Sequence, residues 1–466
     1  MSDRLQPAAP SVTAALARGL LVLSGSALVY AVSAGGLVSS GRRLELLVAA
    51  VVVVGGCVWA AVVRPGWVPA ILLLLASLTP YHLSFVGKTP FGVVTVTGAL
   101  GTATIGVLLL RHGPGRLHVL RGPEVAALAA WVAVLTASAL LGGDLRDGVN
   151  QVRLIAVAMP LAYVAGRLVA DLDPRATRRV AAVAGVVAVL AILEQLTRFS
   201  LYDVVPSAGF PLEPPNRAVR SGLVRVRLGY YHGSTLGTVL AVAAPLVVLA
   251  VRRRGGAALR WVVPALLVAL LFTVTFQVWV ASAVALAILG VGLKRLRVSL
   301  VALVLATGVV VAAGAVPAVN ELIDNRLNPT GSHADEYAYR AQLWPAAFRR
   351  AADGPLLGEG PGQFNQLGIT GTVRNVPVRL VDDNTFTTSL VETGYPGVLA
   401  LLLALGLVAR RMLANPSREH AWAGLGALAA WMVMALSVEV LAGDQALLPC
   451  WLLLGMLSHH RTDETV

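Results

Sequence analysis

The sequence predicts an all-α polytopic membrane protein with about 12–14 transmembrane helices and a long extracytoplasmic loop containing short amphipathic helices. Three observations predict it. Of the 466 residues, 57% are hydrophobic and only 13% are charged, too little charge to coat a soluble chain of this length. Apolar runs of roughly 17–25 residues, the length that crosses a hydrocarbon core, recur from end to end. Two polar, arginine-bearing stretches interrupt them, at 198–233 and 317–384.

The same numbers exclude other classes. No polar segment is large enough to fold alone in water. The net charge of +13 is explained by basic residues collecting in cytoplasmic loops, and without a soluble basic face the chain is no nucleic-acid binder. Cys57 and Cys450 both fall inside apolar runs, which argues against a disulfide framework.

The elements follow in order. The run at 15–38 comes after Arg4 and Arg18 and contains Val-Ser-Ala at 32–34, a passable cleavage site. It matches the later runs, so it is read as an uncleaved first span. Further spans at 44–63, 67–85, 91–110, 123–141, 153–171 and 179–197 complete an N-terminal bundle over 1–197. The first extracytoplasmic loop is 198–233. Central spans at 234–251, 260–276, 279–293 and 298–316 form the region 234–316. Gln277 and Trp279 point to a tight hairpin within 260–293. The large loop, 317–384, leads to C-terminal spans at 385–409, 420–438 and 445–458 within 385–466.

Orientation follows from the basic residues. Arg111, Arg116 and Arg121, then Arg175, Arg178 and Arg179, then 252–254, then Lys294, Arg295 and Arg297, then Arg410 and Arg411 all share one side. That side is expected to be cytoplasmic, with both termini on it, in the cytoplasmic (inner) membrane. Arg42 and Arg43 fall on the other side.

Both long loops then lie outside, and both carry arginine. The first has Arg198, Arg217, Arg220, Arg225 and Arg227; the second has Arg326, Arg340, Arg349, Arg350, Arg374 and Arg379. Lysine is absent from both, but the whole chain has only Lys88 and Lys294. Position is more informative. Arg225 and Arg227 precede the span that opens at Tyr230. Arg340 lies on a segment, 335–353, whose Tyr337, Ala341, Leu343 or Trp344, and Phe348 fall near one helical face, as in a helix lying on the membrane surface. A guanidinium at that depth can grip a lipid phosphate or diphosphate bidentately, or merely snorkel among headgroups.

Carboxylates cluster where the second loop ends. Asp382, Asp383 and Asn384 stand at a helix start, where such residues cap. Glu392 falls about two turns into an apolar run, where an ionisable group is costly. His232 and His333 are further candidate proton acceptors. The glycine run Gly358–Gly362 follows no strand and lies outside the cell, so it is not a nucleotide loop.

Three stretches together resemble the O-antigen ligase and polymerase family of bacterial membrane glycosyltransferases. The stretch 227–246 is similar to the family's Arg-x-Gly segment leading into a small-residue span. The stretch 339–364, with Arg340, Trp344, Pro355, Gly358, Gly360, Gly362 and Phe364, is similar to its Arg, Trp, Pro and alternating-glycine signature. The stretch 382–403 is similar to its His/Asp-Asn segment followed by Glu392, Gly394 and Gly397. Two departures stand out: many relatives carry His at the place of Asp383, and many carry an arginine near Thr275, where this chain has none.

The resemblance implies a GT-C-like fold and a transfer reaction at the outer face of the membrane. The donor is expected to be an undecaprenyl-diphosphate-linked glycan. The acceptor hydroxyl is expected on a glycolipid, glycan or protein. Arg227 and Arg340, with Arg225 in reserve, are expected to hold the leaving diphosphate. Asp383 is the expected base; with a reference pKa of about 3.9, an aspartate needs burial to serve. His232, Trp344, Asn384 and Glu392 are expected around the substrates. No metal and no cofactor is called for. A lipid-linked oligosaccharide flippase is the alternative, but it calls for charge in a central cavity and short loops.

Overall fold

The computed structural model describes residues 43–81, 84–85, 94–204, 219–220, 223–254, 257–293, 332–373, 376–381, 383–441 and 443–459. The expected spans at 15–38 and 298–316 lie outside them, as do Asp382, Arg217, Arg326 and Arg374.

The described chain is an all-α bundle. Its helices are α1 (Arg43–Val63), α2 (Val68–Leu78), α3 (Val96–His112), α4 (Leu117–Leu120), α5 (Pro123–Leu141) and α6 (Leu145–Leu172). They continue as α7 (Ala176–Thr197), α8 (Leu201–Val204), α9 (Gly233–Arg254), α10 (Ala257–Arg260), α11 (Val262–Phe272) and α12 (Phe276–Gly292). The last four are α13 (Ser332–Asp353), α14 (Thr385–Leu413), α15 (Arg418–Ala435) and α16 (Asp444–Ser458). Among the described residues, strands form three short hairpins, the longest pairing Thr370–Val373 with Val376–Arg379. By length and composition α5, α6, α7, α9 and α14 are each able to cross a membrane, and α2, α3, α11, α12 and α16 are shorter apolar helices. The protein is an all-α polytopic membrane protein.

Local chemistry explains the irregularities. In α6, Pro160 has no N–H to donate, and the backbone widens into a π turn at Val157–Leu161. The expected hairpin in 260–293 is present. The turn is at Thr273–Thr275, earlier than Gln277 and Trp279 implied, and Val274 takes a positive φ of 48° there. The Trp279 ring N–H then donates to the Leu270 carbonyl (3.1 Å) across the hairpin.

Helix α9 is the central post. Nearly every residue in it is buried, and α7, α11, α12, α15 and α16 pack around it. Around it, α12 lies along α15, α14 along α5, and α16 along the second half of α6. The last pair crosses closely: a Cβ on Gly166 would meet the Leu452 carbonyl oxygen at 2.0 Å, and one on Gly455 would meet that of Tyr163 at 2.0 Å. Small residues at such crossings let apolar helices gain van der Waals contact where the hydrophobic effect offers little.

The two ends of the bundle differ. One holds, among the described residues, basic residues that share a side in the sequence reading, and it stitches them to acids. Arg116 pairs with Asp171, Arg179 with Asp173 (2.5 Å), and Arg252 and Arg253 with Glu419 (3.1 and 2.9 Å). Near this end Arg167 of α6 is buried against Glu124 of α5 at 2.6 Å. The other end carries the polar connections, including the loop ahead of α9, α13 and the strand hairpin after it.

Candidate active site

The loop end begins with the corner ahead of α9. Glu194, buried one turn from the end of α7, accepts the backbone N–H of Arg227 (3.2 Å) and of Leu228 (2.7 Å) through Oε2. Leu228 sits at a positive φ of 51°, a conformation an apolar side chain takes only when its surroundings enforce it. The bent backbone presents Arg227, itself buried, with its guanidinium carbon 4.4 Å from the centre of the Tyr202 ring. Tyr202 is locked in turn: its hydroxyl donates to the Gly229 carbonyl (3.0 Å) and accepts from the Tyr81 N–H (3.1 Å). Burial pushes the Tyr202 phenol well above its ordinary pKa, so it stays a neutral platform.

Arg225 reaches across to the turn between α11 and α12. Its Nε and Nη2 both donate to Thr275 Oγ1, at 3.2 and 2.9 Å. A guanidinium therefore stands beside Thr275 although the sequence has no arginine there. His232 is exposed, its ring edge-on to Tyr231 at 4.5 Å. Partial desolvation, and then the charges of Arg225 and Arg227, hold its pKa below the ordinary histidine value.

The second group is organised by the connection between α15 and α16, residues 436–443. Arg340 of α13 donates from Nη1 to the Ser437 carbonyl (3.2 Å). Asn384 caps α14, accepting from the N–H groups of Phe386 (2.9 Å) and Thr387 (3.1 Å), and donates from Nδ2 to the Leu436 carbonyl (2.6 Å). Thr385 donates to the Val438 carbonyl (3.1 Å). Just beyond, the Gln445 amide donates to the carbonyls of Ala76 (2.8 Å), Thr79 (2.8 Å) and Gly229 (3.2 Å). One connection thus ties the Arg340 group to the Arg227 corner, and all of these residues lie at the loop end. Asp383 is half-buried, immediately ahead of the cap. Trp344 is the outlier. It points away from the packed face of α13, exposed and against Phe348 at 5.9 Å.

The alternating glycines have a mechanical role. Helix α14 is broken at Gly394, whose φ of 65° and ψ of −171° only glycine adopts readily. Pro396, four residues after Glu392, has no N–H for the Glu392 carbonyl. That carbonyl is taken by Ser138 Oγ (2.6 Å) and the Gly360 N–H (3.0 Å), while the Val391 carbonyl takes the Glu359 N–H (3.0 Å). The 358–362 loop lies so close that a Cβ on Gly358 would meet the Glu392 carbonyl carbon at 2.4 Å. The buried Glu392 side chain closes the assembly by accepting the Phe364 N–H (3.1 Å) through Oε1. Arg350 anchors the loop from α13 through Glu359 (2.6 Å).

Beside Glu392 lies a pocket of about 80 Å³ between α5, α6, α14 and the 439–441 turn. Sequence reasoning missed Glu194, Tyr202, Gln445 and Glu439, which hold or line these features. A signal existed for Glu194: it is an ionisable residue inside an apolar run, the same argument that singled out Glu392.

Fold and site define a multi-pass membrane protein with its polar connections, and several arginines among them, at one end. Residues 262–402, from the start of α11 into α14, match the family model described as O-antigen ligase, so this part of the chain is similar to that family. Arg340, Trp344, Asp383, Asn384 and Glu392 lie inside the matched segment; Arg225, Arg227 and His232 lie ahead of it. No curated protein matches the chain.

Proposed function

We propose that the protein transfers a glycan from an undecaprenyl-diphosphate donor to an acceptor hydroxyl at the outer face of the cytoplasmic membrane, with both termini cytoplasmic. What supports this reading is that Arg225, Arg227 and Arg340 all stand toward the loop end of a chain whose residues 262–402 match the O-antigen ligase model.

The acceptor oxygen attacks the anomeric carbon and forms the new glycosidic C–O bond. The bond between that carbon and the diphosphate oxygen breaks, and its electron pair leaves on the lipid diphosphate. The acceptor's proton passes to a base, for which Asp383 is the candidate. Negative charge grows on the leaving group, so arginines fixed in advance stabilise the transition state more than the ground state. Arg227 suits this role because Tyr202 and the Glu194-held backbone fix it before substrate arrives. Arg340 and Arg225 approach the same end from α13 and from the Thr275 turn. Asn384 and Glu392 act mainly through the frame, one as cap and one as the clamp on the glycine loop. Exposed Trp344 offers a face for lipid or sugar.

The test is reconstitution. Purified protein in lipid nanodiscs, given an undecaprenyl-diphosphate glycan and a candidate glycolipid or glycan acceptor, should release undecaprenyl diphosphate and lengthen the acceptor. Movement of the donor across the bilayer without any new glycosidic bond would replace this reading with that of a flippase.

A further inference from the structure

The pocket beside Glu392 is not needed to hold a diphosphate, and it contains no cation. Its polar lining includes Gln151 of α6, Asn365 of the glycine loop, Thr388 and Ser389 of α14, Glu392, and Glu439 of the α15–α16 connection. Thr388 is the informative residue. Its neighbours Thr387 and Thr393 satisfy their hydroxyls on carbonyls of the preceding turn, at 3.0 and 2.6 Å. The Thr388 hydroxyl, on a side chain 6% exposed, has no hydrogen-bond partner. A buried hydroxyl left unpaired is costly, so such a group is normally completed by something else.

The carboxylates are held in place by the frame. Glu392 accepts the Phe364 N–H (3.1 Å), and Glu439 Oε1 accepts the Leu441 N–H (2.6 Å). The Gln151 amide donates to the Leu441 carbonyl (3.3 Å). Fixed carboxylates, hydroxyls and amides with an apolar floor of Leu135 and Ile155 match the edge of a sugar ring, where each hydroxyl both donates and accepts and the C–H face is apolar. At about 80 Å³ the pocket is below the roughly 300–1,000 Å³ of sites that engulf a ligand. It takes the edge of one residue, not a repeat unit.

We infer that this pocket is a sugar-hydroxyl subsite, which seats one edge of the acceptor's terminal sugar, with Thr388 and Ser389 as specificity-determining residues. The inference rests on the transferase reading. The 436–441 strip bears Arg340 through Ser437 and lines the pocket through Glu439 and Leu441, so an acceptor seated here lies next to the donor's cationic binding groups.

The test uses the full chain in nanodiscs and saturation-transfer NMR with methyl glycosides of glucose, galactose, mannose and rhamnose. At least one should receive saturation from the wild-type protein. The signal should be about three- to tenfold weaker in Thr388→Val and in Ser389→Ala, the loss expected of one hydrogen bond, and retained in Thr388→Ser. In the transfer assay the same variants should raise KM for the acceptor and leave KM for the donor unchanged. No signal from any of these sugars, or equal signal from wild type and Thr388→Val, overturns the subsite. Sugar binding lost in Thr388→Val while the wild type transfers no glycan would sink the transferase reading and leave the subsite standing.

Discussion

The corner around Arg225–Gly233 and the signature around Arg340–Leu403 sit at the same end of the bundle, but their sequences encode different things. In the corner, backbone is contorted to place side chains: Glu194 spends its carboxylate on two N–H groups, Leu228 adopts a left-handed φ, and the product is an Arg227 stacked on Tyr202. In the signature, side chains and glycines are spent on backbone. Glu392 holds Phe364, Asn384 caps α14, and Gly358 and Gly394 let two chain segments meet across a helix break. A motif residue can therefore serve the reaction directly, or it can serve the shape that makes the reaction possible. The two kinds fail differently when mutated.

The sharpest test of that contrast lies in the groups assigned to chemistry. Asp383→Asn should lower turnover by about 100- to 10,000-fold, the usual contribution of a positioned base, with the melting temperature unchanged. Near-normal turnover would move the base to His232, His333 or Glu392. Arg227→Lys and Arg340→Lys should each cost about 100- to 1,000-fold, because lysine keeps the charge and loses the bidentate fork. Normal activity in both would remove the diphosphate role.

The signature should fail through stability. Gly394→Ala puts a side chain at φ 65° and drives its Cβ to 2.1 Å from the Leu356 carbonyl oxygen. The loss is expected to be about 3 kcal/mol or more, read as a lowered melting temperature or lost expression. An unaffected Gly394→Ala protein would show that α14 is not broken there. Glu392 sharpens the comparison from inside the signature. Glu392→Gln keeps an oxygen for the Phe364 N–H and should be mild, while Glu392→Ala should cost about 1–3 kcal/mol by orphaning that donor. If Gln is as damaging as Ala, the charge itself is used.

The smallest effect belongs to His232. Its pKa is held below the ordinary value, so the folded protein resists a proton that the unfolded chain accepts readily. Stability should then rise with pH through the window just below about 6.5, and be lost as pH falls through it. His232→Asn should flatten that part of a melting-temperature profile. An unchanged profile would mean that neither burial nor the arginines perturb the imidazole.

Much of the frame was legible in the sequence. The apolar runs, the cap at Asn384 and the 260–293 hairpin follow from local chemistry. The site was legible in part. Glu392 was conspicuous as an ionisable residue in an apolar run, and Arg225, Arg227 and Arg340 by their position at the edges of the long polar loops. The connecting segment 436–445 and the pocket were not, because their residues look ordinary until the fold brings them together.

By itself the sequence determined that this protein lives in a bilayer, where its helices run and which arginines share a side. Partition between water and lipid is decided by composition over a few turns of chain, so those facts need no tertiary information. Only the folded structure decided that Ser138 completes the Glu392 carbonyl across 254 positions, that Gln445 ties itself to Gly229 across 216, and that Thr388, its buried hydroxyl unpaired, lines a pocket. A hydrogen bond is settled within about 3 Å of space, and no local pattern of residues records which distant segment will come that close.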